Sequence, residues 1–316
     1  MRITFHRLRL TPSRWLVAPS LALLVGLGLG ITGWSVNVID ANPDFAAAGT
    51  VVPRQSRGVA VAAALILREI DVHAWTANDP FFQPGWLLHD MPAYQQGIIA
   101  ALANFAAGLS ERRADTPGDA PLATAASMLR YPGTVWRFNL SVSWMPTTST
   151  EKQYRRAAHE FEAYNLARLD GAANFDRRPE ALAAALADIG RDLGTASALG
   201  DEAIAQRLGG LFDRRPASVF YGNKGRVYAD SLLLRELGWD YAQTIADHGL
   251  GAQWRRLLDA ASAAAALAPA LVFNGAPDST FLPSHLAAQG YALLRVRQQL
   301  AEIGDSLLKP IVPAAQ

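Results

Sequence analysis

From residue 57 onward, stretches in which apolar side chains recur every three or four positions alternate with short stretches broken by Pro, Gly and Asn. The recurring stretches have the period of an amphipathic helix. Residues 57–74 form the first, ending near His73, and residues 93–113 the next, apolar from Ile98 to Leu109 and closing on Glu111, Arg112 and Arg113. The turn-rich DTPGDAP at 115–121 precedes a short helix reaching Tyr131. Thr148 and Glu151 have the spacing of a capping box, in which the first side chain accepts a backbone N–H and the second reaches back. Behind it, Tyr154, Ala157, Phe161 and Tyr164 line one face of a helix, and Lys152, Arg155, Arg156, Glu160 and Glu162 occupy the rest. Further helices are predicted over 178–198, from Gly200-Asp201, through Leu234, Leu237, Tyr241 and Ile245, and after His248-Gly249 to about Ala268. In the last one Leu286, Leu293, Leu300 and Leu307 stand seven apart, beside Val296 and Ile303. With Gly290 inside so short a run, an ordinary core helix is the better reading than a coiled coil.

The predicted fold class is all-α, a helical-bundle domain of about eight helices spanning 57–308, with a C-terminal tail at 309–316. Val135, Trp136, Phe138, Leu140 and Val142 are β-prone, but one extended segment without a partner makes no sheet. No repeat of fixed period is visible, which disfavours a solenoid.

Three stretches fit no helical period: 75–92, 214–226 and 269–285, all rich in aromatics, Gly, Pro and Asn. The first contains NDPFFQPGWLLHDMP. Proline inside a helix removes a hydrogen bond and clashes with the preceding turn, so this run is a loop. Its Phe81, Phe82 and Trp86 have three placements open to them: at the bilayer headgroups, in a ligand groove, or as the buried core of the loop itself. The last is the expectation, with the loop a rigid, mostly buried connector packed against the other two at one end of the bundle, and Asp79, His89 and Asn274 facing one another there.

The N-terminal pattern is different. Trp15 to Ile39 is an uncharged run of 25 residues, and a helix of about 20 residues crosses the hydrocarbon core. Arg2, Arg7, Arg9 and Arg14 precede it, and Asp40 and Asp44 follow. The positive-inside bias then makes 1–14 a cytoplasmic basic tail, 15–39 a transmembrane anchor contacting the lipid bilayer and 40–56 a linker, with the helical domain across the membrane. The alternative is a cleaved signal peptide, but its apolar core would be shorter, and the cleavage-like Ala46-Ala47-Ala48 lies beyond two aspartates. Ala22, Gly26, Gly30 and Gly33 share one helix face, with a GxxxG match at Gly26–Gly30. Such a stripe either packs a second copy, giving a homodimer, or has no role.

Composition narrows the chemistry. A net charge of +1 argues against nucleic acid as a partner, and a cysteine count of zero removes disulfides, thiolate catalysis and Cys-ligated metals. Six histidines are present, but no HExxH, GxSxG elbow, P-loop or strand-borne GxGxxG accompanies them. No cofactor and no metal site is expected, and an enzymatic activity is left open with a lean against it. The loop polar residues are the remaining candidates. Asp79, His89 and Asp90 lie in the first, Tyr221, Asn223 and Lys224 in the second, and Asn274, Asp278 and His285 in the third. With Phe82 and Trp86, a candidate loop-end binding site comprises Asp79, Phe82, Trp86, His89, Tyr221, Asn274 and His285. Against it stands the habit of Asx side chains beside Pro or Gly to brace turns.

The segments NDPFFQPGWLLHDMPAYQQG, SWMPTTSTEKQYRRA, FYGNKGRVYADSLLLREL and LVFNGAPDSTFLPSHLAAQGY resemble, in order and spacing over roughly residues 30–306, the bacterial domain-of-unknown-function family 2333. That resemblance implies a single-anchor inner-membrane protein with a periplasmic helical domain, and carries no activity. The Ala-rich 178–200 segment departs from the family pattern. Two functions follow as expectations. One is a membrane-anchored interaction or scaffold protein of the envelope, with an envelope protein as partner. The other is a ligand-binding or hydrolytic envelope protein using a pocket between the three loops.

Overall fold

The computed structural model describes residues 39–47, 52–112, 119–137, 147–206, 213–276 and 282–310, with a few single positions between 19 and 37. Among the described residues the fold is all-helical, with nine α-helices between 57 and 307: α1 (Arg57–Leu67), α2 (Asp90–Glu111), α3 (Ala120–Leu129), α4 (Thr150–Leu169), α5 (Pro179–Ala205), α6 (Arg215–Asp240), α7 (Ala242–Asp247), α8 (Gly251–Ala266) and α9 (His285–Leu307). No strand occurs among the described residues; one isolated bridge pairs Asn274 with Ser284. No helix among the described residues is long and apolar enough to cross a membrane. The predicted anchor at 15–39 lies mostly outside them, as do Ala22, Gly30 and Gly33 of its small-residue face; Gly26 is described, with open space where a Cβ would stand.

The central pair is α2 and α6. Around it α1, α3 and α4 pack on one side, and α5, α8 and α9 on the other. Tyr94, Leu102, Phe161, Tyr164, Leu182 and Tyr228 are fully buried in the shared core, each contributing about 1.5–3 kcal/mol of hydrophobic stabilisation. Leu293, Val296, Leu300, Ile303 and Leu307 of α9 are buried in the same core, as an ordinary core helix requires. Two helix ends meet at the start of α1: Asp240, the last residue of α6, accepts the Arg57 and Gly58 N–H groups at 2.9 and 3.1 Å and the Ser56 hydroxyl at 2.7 Å. One carboxylate thus satisfies N–H groups that a helix N-terminus leaves without partners.

Four expectations are corrected. The largest concerns 214–226, which is the first three turns of α6 and not a loop. Pro216 sits in the first turn, where its missing N–H costs nothing. Gly222 and Gly225 read as turn signals, yet they serve the crossing with α2. A Cβ on Gly225 would collide with the Tyr94 carbonyl, and a Cβ on Gly97 with the Gly222 carbonyl. Second, α5 runs unbroken through Gly200. Third, the capping box does not form: Ser149 is the N-cap of α4 and makes no side-chain cap bond, while Thr150 Oγ1 donates to Pro132 O at 2.8 Å, tying α4 to the preceding segment. Fourth, the helix through Leu234 breaks at Tyr241, whose φ of −112° and ψ of 22° are not helical, so α7 is separate. The β-prone segment has no regular secondary structure at Val135 and Trp136, and Thr147 N donates to Arg137 O at 2.8 Å; residues 138–146 lie outside the described residues.

Candidate functional site at the loop end of the bundle

The N-termini of α2, α6 and α9 lie at one end, with the C-termini of α5 and α8. Asn223 Nδ2 donates to Ala196 O at 2.8 Å, Gln289 Nε2 to Phe220 O at 2.9 Å, and Lys224 Nζ to Ala265 O and Leu267 O at 2.5 and 2.7 Å. The ammonium caps the C-terminus of α8, where the helix dipole favours a cation, although burial lowers its pKa. The first and third loops both close on the start of α6, through Arg214 Nη1 to Leu87 O at 3.5 Å and Tyr221 OH to Pro269 O at 3.4 Å. The expected gathering of loops at one end is therefore present, with a helix N-terminus in place of the middle loop.

The first loop has a fixed base and an exposed tip. At its base Trp75 is buried, donates Nε1–H to Gly133 O at 2.8 Å and stands edge-on to Tyr154, and Asn78 Nδ2 donates to Val135 O at 3.0 Å. A single 3₁₀ turn, Pro84–Leu87, shapes the tip. Asp79 accepts the Gly85 N–H across it, and a Cβ on residue 85 would collide with that carboxylate. Burial pushes the Asp79 carboxyl up to about 6, the Gly85 hydrogen bond opposing and Glu151 adding to the shift. Beyond this brace the side chains leave the core: Phe81, Phe82, Trp86 and Leu87 are 74, 56, 55 and 48% exposed. This corrects the mostly buried connector. The aromatic edges meet each other instead, Phe81 on Phe82 at 5.4 Å and Phe82 on Trp136 at 5.7 Å. A loop stapled at its base by hydrogen bonds can hold apolar side chains outward, because the staples and not the aromatics fix its shape.

Most of the polar candidates are occupied locally, and His89 is the exception. His89 is the exposed N-cap residue of α2 and makes no side-chain cap bond. Asp90 has its pKa raised by burial, against His89 and Arg214, and Tyr221 is raised by burial and by Asp90. Asn274 Nδ2 donates to Ala203 O at 3.1 Å, capping α5. His285 Nδ1 accepts the Phe273 N–H at 2.9 Å. Asp79, His89 and Asn274 thus serve different elements: a tip turn, the start of α2 and the end of α5. Asp278 lies outside the described residues.

Two clusters escaped the sequence reading. The first straps the segment after the predicted anchor to the domain. Arg68 Nη2 and Tyr94 OH donate to Asp40 O at 3.1 and 2.7 Å, Tyr228 OH donates to Asn42 O at 2.9 Å, and Arg235 donates to Pro43 O and Phe45 O. The Arg68 guanidinium lies over the Phe45 ring at 4.6 Å and pairs with the fully buried Glu69 at 2.7 Å. The expected linker is therefore bound over residues 40–45. The second cluster joins α2, α5 and α6. Asp192 accepts from Asn104 at 2.6 Å and pairs with Arg226, and the fully buried Asp230 faces the same small cavity of about 10 Å³, room for roughly one water. The signal for both was a charge inside an otherwise apolar period, Arg68-Glu69 in one helix and Asp230 in another. No protein family model, no curated protein and no solved structure matches this chain.

Proposed function

We propose that the chain is a single-pass, membrane-anchored envelope protein whose helical domain acts as an interaction or scaffold module. The supporting observation is the local occupation of the loop-end polar groups. Lys224, Asn223, Asn274 and His285 hold backbone groups of neighbouring elements, which suits a rigid platform better than acid–base chemistry. The anchor reading rests on the uncharged run at 15–39 and its flanking charges, with an inner-membrane location and a periplasmic domain as its consequence. Because the chain has no cysteine, single introduced thiols report topology. A thiol replacing Thr4 is expected to be shielded from a membrane-impermeant maleimide in intact spheroplasts, and one replacing the exposed Trp239 to react. Carbonate extraction that releases the protein would overturn the anchoring. Chemical crosslinking in the native membrane is expected to give a discrete heteromeric adduct, and adducts only with itself would overturn the scaffold role.

A further inference from the structure

We propose that the loop end of the domain lies directly on the bilayer, with Phe81, Phe82, Trp86 and Leu87 seated among the lipid headgroups. The inference rests on the anchor reading and adds what the strap and the exposed tip imply together.

The uncharged run ends at Ile39, and the strap begins at Asp40. The run exceeds the roughly 20 residues that cross the hydrocarbon core by only a few, and Ile39 already packs against the domain, so any slack between the two is short. The place where the strap begins then fixes which end of the bundle meets the membrane. Asp40 stands 3.9 Å from His73 Nε2, two residues before the aromatic loop, and bonds Tyr94 in the second turn of α2, which starts where that loop ends. From there the strap descends along α6, past Tyr228 and Arg235, toward Ser56 and Asp240 at the opposite end. Followed backward toward Ile39, the chain climbs to the loop end. An anchor leaving there brings that end, and not the other, to the lipid.

The surface at that end has the matching chemistry. Four apolar side chains protrude from the braced tip, and Leu271 of the third loop, 68% exposed, extends the apolar rim on the α9 side. Tryptophan favours the headgroup level, where its apolar ring and its N–H are both satisfied, and Phe and Leu side chains enter the boundary between headgroups and acyl chains beside it. Arg137, next to the Trp136 that packs on Phe82, and Arg214, which reaches Leu87, are exposed on the flanks and suit anionic headgroups. The acids close by are withdrawn: Asp79 is engaged by Gly85, and Asp90 is half-buried between His89 and Arg214. A protein partner for this face would have to reach it through the gap between domain and membrane.

The test uses the full-length chain in vesicles of phosphatidylcholine and phosphatidylglycerol, with one environment-sensitive fluorophore on a thiol replacing Trp86, Leu87, Leu23 or Leu308. Lipids carrying a nitroxide near the headgroup or near the chain end serve as quenchers. The Trp86→Cys probe is expected to lose roughly half its emission to the shallow quencher, and Leu87→Cys to repeat this. Leu308→Cys, at the opposite end, is expected to be unaffected, and Leu23→Cys to respond to the deep quencher. A quenched Leu23→Cys probe beside an unquenched Trp86→Cys probe would overturn the proposal and leave the anchor standing. A blue-shifted but unquenched Trp86→Cys probe would place protein, and not lipid, over the face, and also overturn it. Failure of both probes to respond would overturn the anchor reading itself.

Discussion

Asp230 has no hydrogen-bond partner for its Oδ2 among the described residues, and Asp192 lies near enough to raise its pKa further. Two carboxyls share one guanidinium, Arg226, so the group is balanced when one proton is retained. Burial, and then Asp192, hold the Asp230 carboxyl well above its ordinary 3.8. A folded-state pKa above the unfolded one means that the folded state binds more protons in between, so stability is greatest at low pH and declines as pH rises through the folded value. Asp230→Asn, which mimics the protonated carboxyl, is expected to lack that decline and to be more stable than the parent at neutral pH. Asp192→Ala removes the carboxylate that pairs directly with Arg226 and accepts from Asn104, leaving Asp230 as the remaining acid, and is expected to cost about 1–3 kcal/mol. Urea denaturation across a pH series measures both. Asp79 is a weaker instance with the same sign. Its folded value near 6 predicts a loss of stability as pH rises from about 4 to 6, which Asp79→Asn should remove. The gain at pH 8 is expected to stay under about 1 kcal/mol, because solvent screens a half-exposed group.

Between elements, the decisive contact is the crossing of α2 with α6, where glycines bring two backbones together. Gly97→Ala or Gly225→Ala would press a methyl into a facing carbonyl, and a loss of about 1–3 kcal/mol or more is expected in thermal or chemical unfolding. Gly190 and Gly290 face open space inside α5 and α9. There the same substitution is expected to add about 0.5–1 kcal/mol, by lowering unfolded-chain entropy and raising helix propensity. The contrast explains what was legible in the sequence. The stripe of α9 and the face of α4 were readable because burial on one side leaves a periodic trace along the chain itself. FYGNKGR was not, because its glycines answer to Tyr94 and Gly97, more than a hundred residues away, and nothing local distinguishes that use from a turn. The tip aromatics were misplaced for a related reason. Hydrophobicity states that Phe81 and Trp86 prefer to leave water, but not whether protein or something else receives them. Of the candidate residues, Asp79 was recognisable as a turn brace from its neighbours Pro80 and Gly85, whereas the roles of Asn274 and His285 depend on α5 and Phe273.

For the molecule as a whole, the strap ties residues 40–45 to the helical domain. Arg235→Ala removes two hydrogen bonds to the carbonyls of Pro43 and Phe45 and one of the two ion pairs of the buried Glu236, which keeps its pair with Arg57. Hydrogen exchange in residues 40–47 is expected to quicken roughly tenfold while the global melting temperature stays nearly constant. Arg68→Ala also strips the buried Glu69 of its counter-charge, and here global stability should fall by about 3–5 kcal/mol. The strap has a consequence in time as well as in space. Its most distant bond spans 192 residues, from Pro43 to Arg235. At a synthesis rate of about 5–20 residues per second, roughly 10–40 s separate the emergence of those two positions. A nascent chain therefore carries residues 43–45 unclasped for that interval, until Arg235 has emerged. The last quarter of translation, and not the first, decides when the domain seats itself.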